Sequence, residues 1–143
     1  MLEIAAFYCI WLFFWDDAID GNTTEIDTIE AGKRYRDESV VFVRWCLLGD
    51  GTIGSLSENC PVAPTVICGS FKDVAERTKR VRGREHTGDK IDRFCRSLEK
   101  YMDACVVEQE WRLSRSDTTP GIDEFWGWRL GTSSVDAMLD LSL

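Results

Sequence analysis

Residues 4–15 read IAAFYCIWLFFW, twelve apolar or aromatic positions without a charge, and they run straight into Asp16 and Asp17, with Asp20 following. A bilayer needs about 20 such residues, so this block is too short to span one. A signal peptide fits no better, because Glu3 stands where positive charge belongs and no small-residue cleavage site follows. What remains is a helix apolar nearly all round, over residues 2–20, enclosed by neighbours in a protein core. Its abrupt acidic end has two explanations. Either the helix leaves the core there, or the carboxylates hold a cation at the core's edge.

The chain has 143 residues, enough for one domain around one core. A formal net charge of −8 and a pI near 4.7 give no electrostatic reason to expect nucleic acid. The basic run RTKRVRGR at 77–84 reads as a solvated helix end and loop. Cys9, Cys46, Cys60, Cys68, Cys95 and Cys105 form no CxxC pair and have no His at ligand spacing, which argues against zinc. Most of them read as reduced core thiols of an intracellular, cytoplasmic protein, although their even number leaves a disulfide formally open.

Helical pattern dominates the rest, and the expected fold class is all-α with about five helices. GNTT breaks the first helix, and Thr23 or Thr24 can cap a second over 25–48. Residues 49–64, GDGTIGSLSENCPVAP, form the only long irregular segment, either a loop or an insertion. A shorter helix is expected over 70–82. Ile91, Phe94, Cys95, Leu98, Tyr101, Met102, Cys105 and Val106 recur at threes and fours, so 89–114 is a long amphipathic helix. After SDTTPG, with Thr119 as cap and Pro120 as first residue, a last helix runs over 122–143. GTSS at 131–134 lowers helix propensity in its middle and predicts a break.

Asp16 and Asp20 are four apart, hence neighbours on one helix face, and Asp17 lies beside them. Residues 1–15 supply no Lys or Arg to offset their repulsion. Hard oxygen donors on a rigid element suit Mg2+, which binds one or two protein carboxylates and completes its shell with waters and phosphate oxygens. The alternative is a set of solvated acids at a helix C-terminus, slightly disfavoured by the helix dipole. The aromatics just before them favour the cation. A metal-bound phosphate beside an apolar pocket is what a prenyl diphosphate requires.

FFWDDAID at 13–20 resembles the aspartate-rich motif of class I terpene synthases, particularly fungal ones. DEFWGWRLGTSSVDAM at 123–138 is similar to the segment around that family's diphosphate-sensing arginine, which lies on a helix broken near its middle. RYRDESVVFVRWCLL and EKYMDACVVEQEWR resemble the intervening helices, so the likeness covers almost the whole chain except 49–64. The resemblance implies a single partial synthase domain over 1–143 that uses Mg2+ to ionise farnesyl or geranylgeranyl diphosphate. It makes Asp16 the principal metal ligand, supported by Asp17 and Asp20. Arg129 becomes the diphosphate sensor, with Thr132 and Ser133 near the linker and effector positions. Phe13, Phe14, Trp126 and Trp128 become candidates to stabilise cationic centres, against the plainer alternative that they are core.

The family's second metal motif, an Asn/Ser/Glu set followed by a basic residue and an Arg-Tyr pair, has no counterpart in this sequence. The chain is therefore expected to be the central part of a synthase, inactive by itself, with apolar helix faces that favour self-association. An isoprenyl diphosphate synthase would show a second aspartate-rich motif. A non-catalytic helical interaction module would have no reason to bind Mg2+ or diphosphate.

Overall fold

The computed structural model describes residues 2–22, 26–49, 60–82, 88–114 and 118–142, and within them there is helix and turn but no strand. Helix α1 spans Leu2–Asp17 and continues as a π-helical turn over Ala18–Asn22, which ends at Gly21 with φ 83°. Then come α2 (Ile29–Leu48), α3 (Val66–Gly69), α4 (Phe71–Arg82) and the long α5 (Gly88–Ser114). Last are α6 (Ile122–Arg129), a 3-10 turn at Gly131–Ser133 and α7 (Val135–Ser142). The architecture is all-α, as the periodicity predicts, with α3 as an added single turn.

One expected start and one expected cap are displaced. Helix α2 begins at Ile29 rather than 25, because the Thr28 hydroxyl accepts from the Ala31 N–H at 3.1 Å and satisfies an otherwise orphaned donor. Thr23 and Thr24 lie outside the described residues. Helix α6 starts at Ile122 with Gly121 as its cap, so Pro120 precedes the helix instead of opening it. Residues 50–59 of the 49–64 segment and residues 83–84 of the basic run also lie outside the described residues.

Three rings of α1 anchor it in the core. Tyr8 meets Phe94 of α5 edge-on at 5.6 Å, Trp11 meets Phe71 of α4 at 4.8 Å, and Trp15 stacks on Tyr35 of α2 at 5.2 Å. The Trp15 indole N–H donates to the buried Ser39 hydroxyl at 2.9 Å, so the largest side chain of the helix is buried with its one polar atom satisfied. Contacts 8 to 94 and 15 to 101 set α1 and α5 running in the same direction. Lys33 to Glu110 at 2.6 Å and Arg44 to Glu99 at 2.7 Å set α2 antiparallel to α5.

Enclosure of α1 on all sides does not occur. Ile4, Tyr8, Trp11 and Trp15 are buried, but Leu2, Ile10, Phe13 and Phe14 are exposed on the other side, Phe13 at 72%. The helix is apolar all round and covered on one face, so the described residues leave a hydrophobic stripe in front of the aspartates. All six cysteines are free; Cys46, Cys68, Cys95 and Cys105 are buried. Burial pushes the Cys46 thiol up to about 12 and those of Cys68 and Cys95 up to about 11, as inert core thiols require. Among the described residues no helix is long and apolar enough to cross a membrane.

Candidate metal and diphosphate site

The carboxylate end of α1 rests against one stripe of α5. Tyr101, Cys105, Glu108 and Arg112 follow one another by four, three and four residues and so lie along one face. The Cys105 thiol donates to Asp16 Oδ1 at 3.3 Å, and Arg112 Nη2 pairs with Asp20 Oδ1 at 2.8 Å. Asp16 is half-buried, while Asp17 and Asp20 are exposed. The motif is thus fixed at both ends by α5, and Asp20 is already paired.

Electrostatics ties these groups together. Burial raises the Asp20 carboxyl above its ordinary range; Arg112 pulls it back, and the charges of Asp16 and Asp17 push it up again. Glu108 is raised by burial and by Asp20, with Arg129 and Arg112 opposing. Burial also raises the Tyr101 phenol and the Cys105 thiol, and the Asp16 charge adds to both. That Asp20 and Glu108 are each pushed up by neighbouring carboxylates as well as by burial marks a spot where negative charge gathers. Among the described residues no three or more His, Cys, Asp or Glu side chains converge closely enough to hold a metal by themselves.

Arg129 ends α6 and lies within electrostatic reach of Glu108. Its Nη1 donates to the Thr132 hydroxyl at 3.5 Å, and that hydroxyl returns a bond to the Arg129 carbonyl at 3.3 Å. Ser133 donates to the Leu130 carbonyl at 3.0 Å. The break that GTSS predicts is the 3-10 turn, and glycine is required there because a Cβ on Gly131 would stand 2.6 Å from Ala104 Cβ on α5. Ser134 takes the left-handed conformation at φ 53° and is held by Tyr8, whose hydroxyl lies 3.0 Å from its own. A non-glycine residue there costs of order 1–3 kcal/mol, so the buried bond to Tyr8 keeps a strained corner in place directly after the turn.

The family profile for terpene synthase family 2, C-terminal metal binding, matches residues 8–143. The chain belongs to this family. It is also similar to the sesquiterpene cyclase hepA of Aspergillus oryzae (strain ATCC 42149 / RIB 40), at 30% identity over 145 residues. That match covers 99% of this chain but 37% of the relative, so the chain spans little over a third of the length of the cyclase it resembles. No solved structure gives a significant match.

The donor types, carboxylate oxygens beside an apolar face, are those a hard divalent cation takes, and a cation that binds only one or two protein carboxylates does not need three of them to converge. The expected aromatic lining is less gathered. Phe13, Phe14 and Trp126 are exposed, Trp126 at 54%, and only Trp128 finds a ring partner across helices, meeting Trp111 of α5 edge-on at 5.4 Å. Among the described residues none of the exposed three is covered as a core residue would be.

Cys105, Glu108, Arg112 and the Tyr8–Ser134 pair were not singled out as site residues from the sequence. The signal available was the spacing of Cys105, Glu108 and Arg112 on α5, whose helical phase matches the side that meets α1. Nothing in the local sequence pairs Tyr8 with a residue 126 positions away.

Proposed function

We propose that this chain provides the aspartate-bearing wall of an Mg2+-dependent terpene cyclase that ionises a prenyl diphosphate. The observation that carries this is the placement of Asp16, Asp17 and Asp20 between an uncovered apolar stripe on one side and Glu108, Arg112 and Arg129 on the other. Hydrocarbon and diphosphate each meet matching chemistry. The relative's description as a sesquiterpene cyclase favours farnesyl over geranylgeranyl diphosphate as substrate.

In this reading Asp16 is the principal Mg2+ ligand, oriented by the Cys105 thiol, with Asp17 beside it. When bound, Mg2+ would neutralise charge developing on the leaving diphosphate. Arg129 presents its guanidinium fork to the phosphate oxygens, and Thr132 holds that fork at the end of α6. Ser133 follows as the effector position, with its backbone in the 3-10 turn braced on α5. Phe13, Phe14, Trp126 and Trp128 offer ring faces to cationic centres, each worth about 0.5–2 kcal/mol. Phe13, Phe14 and Trp126 stand open to water, so this chain alone does not screen an allylic cation and is expected to bind without turnover. The same open faces favour self-association.

Titration calorimetry with inorganic pyrophosphate, with and without Mg2+, tests the reading. Binding is expected to need Mg2+, to vanish in Asp16→Asn and to weaken at least about tenfold in Arg129→Ala, since each removes a charged contact to the anion. Pyrophosphate binding by Asp16→Asn equal to that of the unmodified chain would sink it.

A further inference from the structure

The C-terminus of α1 has an unusual fastening. Its helical hydrogen bonding widens into the π turn over Ala18–Asn22 and ends at Gly21 in the left-handed region. Such an end leaves carbonyls without intrahelical donors, and three carboxylates at that pole are opposed by the helix dipole. Arg112 of α5 answers both problems. One guanidinium nitrogen pairs with Asp20 Oδ1 at 2.8 Å and reaches the Ile19 carbonyl at 3.5 Å, while the other donates to the Asp20 carbonyl at 3.3 Å. A planar fork with five donors can serve a carboxylate and two carbonyls at once; a lysine ammonium cannot do so in fixed geometry.

We propose that Arg112 is a positioning residue: it clamps the π turn and holds Asp20 away from the cation, so that the metal is taken through Asp16 and Asp17 and competes with Arg112 for Asp20. Asp20 therefore acts as the guanidinium's counter-charge before it can act as a ligand, and the site's cation affinity is set below what its carboxylates allow. The proposal deepens the cyclase reading and rests on it for the identity of the cation.

The test uses the full 143-residue chain and Mn2+ alone, followed by its electron paramagnetic resonance signal, with hydrogen exchange at residues 18–22 as an independent readout. Arg112→Gln removes a positive charge beside the site and frees Asp20, so Mn2+ affinity is expected to rise about three- to tenfold. Loss of a merely structural contact would lower it. The double variant Arg112→Gln/Asp20→Asn removes the pair without net charge change and is expected to return within about twofold of the unmodified chain. Exchange at 18–22 is expected to accelerate at least about tenfold in Arg112→Gln and to be only partly rescued in Arg112→Lys.

Unchanged or reduced Mn2+ affinity in Arg112→Gln, with helical content retained, overturns the competition. Unchanged protection of 18–22 overturns the clamp. Failure of the cyclase reading has a different signature: Asp16→Asn binds Mn2+ as well as the unmodified chain, while the exchange data still decide what Arg112 does.

Discussion

The inner face of α1 and the whole of α6 are the two aromatic-rich stretches of this molecule, and they meet opposite fates. On α1, Tyr8, Trp11 and Trp15 are enclosed by α2, α4 and α5, and the Trp15 ring and N–H are both satisfied. On α6, Ile122, Phe125 and Trp126 are exposed and no residue of the helix is buried. Aromatic content is thus no guide to burial in this chain. What differs is the cover: α1 is packed by helices on one side, whereas α6 lies against α5, with Trp128 meeting Trp111, and buries none of its own residues.

The comparison is broken most directly by truncating one ring in each region. Trp15→Ala is expected to cost about 3–5 kcal/mol in denaturant unfolding, since it empties a fully buried site and removes one of the Ser39 hydroxyl's two donors. Trp126→Ala is expected to change stability by less than about 0.5 kcal/mol. Equal costs would mean that α6 is covered in solution by something the chain itself provides.

Gly131 ties the two regions together, because its turn seats the end of α6 on Ala104 of α5. Gly131→Ala overfills that contact and is expected to cost about 1–3 kcal/mol. If the same variant also weakens pyrophosphate binding, the sensor segment depends on this seat for its placement; unaltered binding would detach the turn from the diphosphate function.

A pH series sharpens the contrast between core and surface. The buried Cys46 thiol is raised from 9.0 to about 12, and Cys68 and Cys95 from 9.0 to about 11. A raised thiol contributes stability that is complete below the unfolded value and is lost as pH climbs through the folded one. Unfolding free energy is therefore expected to hold up to about pH 9 and to decline toward pH 11–12. The decline is expected to be shallower in Cys46→Ala, measured by denaturant titration at each pH.

The smallest effect on stability is expected at the outer face of α1. Phe13→Gln is expected to shift unfolding by no more than about 0.5 kcal/mol, because the ring is already in water. The same variant is expected to reduce self-association in sedimentation velocity, by removing the centre of the apolar stripe. Oligomers unaffected by it would place any self-contact elsewhere.

Much of the fold is legible in the sequence because it depends on local rules. The three- and four-residue recurrence from Ile91 to Val106 fixes α5, the low propensity of GTSS marks the break after α6, and the twelve-residue length of the run from Ile4 to Trp15 favours helix over strand. Asp16, Asp17 and Asp20 stand out as candidates because carboxylates abutting an aromatic run are a local pattern too, whereas Arg129 becomes a candidate only through the resemblance of its whole segment to the family's. The start of α2 and the cap of α6 were misplaced because several neighbouring residues could cap.

What the sequence alone determined is the helical class, the order of the helices and the acidic end of α1. Only tertiary structure decided which face of α1 is buried, since a helix apolar all round has no amphipathic phase to read. It also decided that Arg112 answers Asp20, that Cys105 holds Asp16 and that Tyr8 holds Ser134. These pairings join residues tens of positions apart or more, and their physical cause is the seating of α1 against α5 and against the corner before α7, a property of packing rather than of any local stretch.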